Sequence, residues 1–104
     1  MSNPDAQLKR AITSIRNLVE QHMLHDPLTK SRTRTAISAK AVYYILLKDL
    51  GFSLSELEGL IGVDRASMMH HVNSDYKRDL LGNDIQALMP RAKKVLSLYR
   101  SGEK

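Results

Sequence analysis

Residues 53–74, read with Phe52 as FSLSELEGLIGVDRASMMHHVNS, constrain the fold of this chain more than any other stretch. Ser53 and Glu56 have capping-box spacing: the hydroxyl accepts from a backbone N–H one turn into a helix, and the carboxylate reaches back to the cap. Leu54, Leu57, Leu60 and Ile61 then recur at helical spacing and form an apolar stripe. Gly62 follows where a left-handed residue ends a helix, and Val63 plugs the core from the turn. Asp64 is the next cap, with Met69, Val72 and Tyr76 as the buried face of a second helix. Arg65, Ser67, Met68 and His71 then point outward. A short helix, a glycine turn and a second helix with a polar face make a helix-turn-helix pattern at about residues 53–76, whose second helix enters the DNA major groove.

The 104 residues suffice for a single helical domain, 1–104, and are too few for two well-filled cores. There is no cysteine, which excludes a disulfide framework and thiolate chemistry and fits a reducing cytoplasm. No apolar run suggests a signal peptide or a membrane span. The formal charge is +5, and its distribution says more than its size: no acidic residue lies between Asp26 and Asp49, while Lys30, Arg32, Arg34, Lys40 and Lys48 all do. Aromatic residues make up only 5% of the chain, which argues against a single-stranded binder that stacks bases on ring platforms.

Asn3, Pro4 and Asp5 read as a helix start after a frayed Met1 and Ser2, and Leu8, Ile12, Ile15, Leu18 and Val19 carry that helix to about His25. Asp26-Pro27 stops it. Residues 28–38, LTKSRTRTAIS, read as a basic connection in which threonine and serine discourage helix and, with the cations, offer donors to phosphate. Ala39, Val42, Tyr43, Ile45, Leu46, Leu47 and Leu50 mark a central buried helix that ends at Gly51. Beyond the second motif helix, Tyr76, Lys77, Arg78 and Asp79 run on toward solvent, and Gly82-Asn83-Asp84 breaks the chain. Ile85, Leu88, Met89, Ala92, Val95, Leu96 and Tyr99 define a last helix, kinked or split at Pro90, with Arg91, Lys93, Lys94 and Arg100 on its polar side. No strand-like alternation occurs, so the expected fold is all-α with five or six helices.

SRTRTAISAKAVYYILLKDLGFSLSELEGLIGVDRASMMHH resembles the C-terminal DNA-binding domain of the bacterial replication initiator DnaA, a Trp-repressor-like helix-turn-helix. That family reads basic loop, A-R-x-I-A-M-Y-L-x-R-E-L, S-L-x-E-I-G, then G-R-D-H-S-T-V-x-H. The resemblance covers nearly the whole chain and leaves no room for the initiator's ATPase domain. It implies that Lys40 stands where the family places a minor-groove arginine, without the planar fork. It also puts Lys30, Arg32 and Arg34 on the family's basic loop as phosphate contacts. In the signature segment the base-reading Asp-His pair is replaced by Arg65 and Ala66, while Ser67 retains the hydroxyl and His71 the imidazole. The implied target is therefore not the initiator's usual box. The base-reading set is Arg65, Ala66, Ser67, Met68 and His71, with Arg65 placed for guanine and Met68 for a thymine methyl.

A LuxR-type transcription regulator domain fits the same segments with a shorter turn; that register buries Met68 and His71, whereas the initiator-like one buries Met69 and Val72. His22, His25, His70 and His71 lack the accompanying ligands of a metal site, and Ser53, Ser55 and Ser67 lack a catalytic partner set, so neither an enzyme nor a cofactor is expected. The reading is a cytoplasmic, nucleoid-associated, sequence-specific binder of double-stranded DNA in replication or transcription control, encoded by a phage or mobile element. Its rival is a protein-interaction module of the same fold that binds a host replication or transcription protein, or a second copy of itself.

Overall fold

The computed structural model describes residues 4–101. The expected cap at Asn3 lies outside the described residues, as do Met1, Ser2 and the side chains of Asp5 and Arg100. The chain is all-helical: α1 (Pro4–Met23), α2 (Arg34–Asp49), α3 (Leu54–Ile61), α4 (Arg65–Val72), α5 (Asp75–Leu80) and α6 (Gly82–Ser101).

α2 is the axis of the fold. Its run from Ala41 to Leu47 is buried on every side, as expected of a helix with almost no polar residues, and it packs against α1, α4 and α6. α1 and α6 pair in antiparallel fashion along it: Ser14 Oγ lies 3.3 Å from Tyr99 Oη near one end and His22 Nε2 lies 2.9 Å from Asp84 Oδ1 near the other. Ile15, Val19, Leu88, Ala92 and Leu96 fill the space between them and α2. The Tyr43 hydroxyl, buried in this core, donates to the Ile12 carbonyl at 3.4 Å, which satisfies the polar tip of an otherwise apolar ring.

Several boundaries differ from expectation, each for a local reason. α1 ends at Met23, because Leu24 takes a left-handed conformation with φ 62° before Pro27 is reached. The following turn is held by Asp26, which accepts from the Leu28 N–H at 2.9 Å and from Arg16 Nε at 2.9 Å. α2 starts at Arg34, five residues before Ala39. The Thr33 hydroxyl accepts from the Ala36 N–H at 3.3 Å, so the side-chain competition expected to dissolve helix here caps one instead. α6 runs unbroken through Pro90.

The expected capping box of α3 is present, with the Glu56 N–H to Ser53 Oγ at 3.1 Å and the Ser53 N–H to Glu56 Oε1 at 3.0 Å. Gly62 ends α3 with φ 82°, and Gly62, Val63 and Asp64 form the whole turn to α4. Asp64 makes no side-chain cap; Glu58 of α3 reaches across the turn and accepts from the Arg65 N–H at 3.1 Å. α4 does not continue to Tyr76. It stops at Val72, and the Ser74 hydroxyl, accepting from the Lys77 N–H at 3.2 Å, starts the separate helix α5. Arg78 locks this break: its Nε donates to the Val72 carbonyl at 2.9 Å, and its Nη1 lies 3.1 Å from Asp49 Oδ2 at the end of α2.

Candidate nucleic-acid interface

α4 is anchored by Met68 and Val72, which are 0% and 4% exposed, whereas Met69 is 45% exposed. The expected buried face of Met69, Val72 and Tyr76 therefore holds only at Val72. Val72 is buried in both patterns, so α4 is rolled by less than the about 100° of one residue from the ungapped initiator register, enough to put Met68 in the place expected of Met69. The buried pair Met68 and Val72 takes one residue from each register, with His71 only half-buried. The reason lies in the core: with only Gly62, Val63 and Asp64 between the helices, Met68 is the side chain that reaches the apolar cluster around α2 and α3.

This rotation redistributes the five expected base readers. Met68 is core and reads nothing. His71 is half-buried against α2, its ring 5.6 Å from that of Tyr44, and its Nδ1 lies 2.8 Å from Lys77 Nζ. Burial first, then the charges of Lys77, His70 and Lys40, push the His71 imidazolium down to about 4. The neutral ring accepts at Nδ1 from the Lys77 ammonium, so its proton sits on Nε2. Arg65 is exposed but folds back along α3, with Nη1 donating to Ser55 Oγ at 3.1 Å and Nε 3.7 Å from Glu58. Of the original set only Ala66 and Ser67 face outward with no such engagement of their side chains. Met69, His70 and Asn73 join them. Helical spacing from Met68 and Val72 would have found all three, once those two were recognised as the buried pair.

The four expected phosphate contacts also separate. Lys30 and Lys40 line a groove of about 500 Å³ between the basic connection and α4, together with Tyr44, Val63, Ser67 and His71. Lys40 lies in the second turn of α2 rather than at its start, and its ammonium donates to the Ser31 carbonyl at 3.4 Å, holding the connection over the groove. Arg32 and Arg34 line a second groove on the α5 side of the α2 N-terminus. Among the described residues the ion pairs are Arg16–Asp26, His22–Asp84, Arg65–Glu58 and Arg78–Asp49, and none uses Lys30, Arg32, Arg34 or Lys40. Among the described residues these cations thus have no ion-pair partner; Lys30 and Lys40 lie beside α4, and Arg32 and Arg34 on the α5 side.

Of the four histidines, His22 is paired with Asp84, and among the described residues no three His, Asp or Glu come together as a metal-binding group. No described helix is long and apolar enough to cross a membrane. The chain matches no protein-family model, no curated protein and no solved structure, so the site is read from its own residues.

Proposed function

We propose that this chain is a helix-turn-helix module that binds double-stranded DNA, with α3 and α4 as the motif and α4 in the major groove. The supporting observation is the adjacency of an outward face on α4, made of Ala66, Ser67, Met69, His70 and Asn73, to a cation-lined groove with no acidic lining residue. Ser67 and His70 supply hydrogen-bonding groups to base edges, and Ala66 and Met69 supply apolar contact to thymine methyls. Lys30 and Lys40 hold phosphates of the strand beside α4, and Arg32 and Arg34 extend the positive field past the α2 N-terminus. Arg65 joins the base readers only by leaving Glu58, an exposed pair that costs little to break. The module has no catalytic part in this reading; its role is in replication or transcription control.

Selection of duplexes from a random pool, repeated at two salt concentrations, tests the proposal. If four phosphates are neutralised, log K falls against log[salt] with a slope of about −3.6, and removing Lys30 or Lys40 flattens it by about 0.9. His70→Ala relaxes base preference without changing that slope. No duplex retention at low salt sinks the proposal.

A further inference from the structure

The second groove has a chemistry of its own. It lies between the start of α2 and α5, measures about 650 Å³, and is floored by Ala41 and Leu81. Its walls are Ile37, Tyr76 and Leu80, which are 36%, 73% and 61% exposed. Tyr76 and Leu80 stand one helical turn apart on α5, so they form one ridge facing Ile37 across the groove. Their exposure is imposed from outside α5: Arg78, held by the Val72 carbonyl and Asp49, fixes the roll of this six-residue helix. Arg32 and Arg34 stand at the rim, and no residue lining the groove is acidic.

We propose that this groove docks an amphipathic, acidic protein segment, with large apolar side chains seated between Ile37 and the Tyr76–Leu80 ridge and carboxylates paired with Arg32 and Arg34. Volume and lining suit a helix laid into an apolar groove. Charge decides among the occupants. A second copy docking through this face would set Arg32 and Arg34 against their own counterparts, a like-charge contact that opposes association. A nucleic-acid backbone would satisfy the guanidiniums but leave Tyr76, Leu80 and Ile37 without an apolar partner. An acidic amphipathic segment satisfies both parts.

The test is selection of a phage-displayed library of random-sequence peptides on the whole chain. The enriched peptides are expected to carry large apolar residues at i, i+3 or i+4 spacing, flanked by Asp or Glu. Tyr76→Ser with Leu80→Ser should weaken them at least about tenfold, as should Arg32→Glu with Arg34→Glu. Since Tyr76 and Leu80 are exposed and lie outside the α4 face, the Tyr76→Ser, Leu80→Ser chain should fold and retain duplexes like the parent, so a failure here is separable from a failure of DNA binding. Lack of enrichment overturns the proposal, as do enriched peptides that are neutral or basic, or that bind the double variant undiminished. Amide shifts at Ile37, Tyr76 and Leu80 induced by a duplex would overturn it in favour of a nucleic-acid contact.

Discussion

The roll of α4 decides which residues can meet a ligand, and truncating its two adjacent methionines measures it. Met68→Ala removes Cγ, Sδ and Cε from a site with 0% exposure, packed in the cluster that includes Leu46, Leu57 and Val72. At about 0.8 kcal/mol per buried methylene-sized group the lost transfer energy is roughly 2 kcal/mol. The cavity left behind adds to this, bringing the expected cost to about 3 kcal/mol, within the range for buried Met-to-Ala changes. Met69→Ala, at 45% exposure, should stay within about 0.5 kcal/mol of the parent. Urea unfolding followed by helical circular dichroism reads the difference. With a slope of about 1–1.5 kcal/mol per molar for a domain of this size, Met68→Ala should lower the midpoint by about 2 M or more, and Met69→Ala should barely move it. The reverse order would place Met69 in the core, restore the initiator-like roll and return Met68 and His71 to the outward face.

Three further outcomes follow from local geometry. Ser53→Ala removes the hydroxyl that accepts from the Glu56 N–H while keeping the backbone N–H that donates to the Glu56 carboxylate, and should cost about 1 kcal/mol in the same unfolding assay. Gly62→Ala meets nothing within 4 Å but forces a side chain onto φ +82°, so its cost of about 1–2 kcal/mol is backbone strain alone, and Gly62→Asn should recover part of it. His71 in the folded chain is depressed from 6.5 to about 4, so below pH 6.5 the unfolded chain binds the extra proton. Stability is therefore full above that value and is lost as pH falls toward 4; after discounting for solvent at this half-buried ring, the loss is about 1 kcal/mol, and a His71→Gln chain should show a flatter melting-temperature profile between about pH 7 and pH 5.

The all-helical class, the capping box at Ser53, the stops at Gly51 and Gly62 and the buried run through Val42 and Leu46 were all legible in the residues. Each is a local matter: a hydroxyl three positions from a carboxylate, a residue without Cβ, or an apolar stripe at helical spacing acts within one or two turns of backbone. What the sequence left undetermined was long-range. Met68 and Met69 are adjacent and chemically identical, and only the distance from the three-residue turn to the cluster around α2 and α3 selected Met68 as the anchor. Tyr76 reads as core by spacing, yet Arg78, through the Val72 carbonyl and Asp49, breaks α4 from α5 and turns Tyr76 to solvent. Lys30, Lys40, Arg32 and Arg34 form one basic stretch along the chain, but the start of α2 divides them between two grooves. Helix identity was thus a property of the sequence. The facing of each helix was settled by tertiary structure, because rolling a helix about its own axis leaves its backbone hydrogen bonds unchanged and is resolved only by what packs against it.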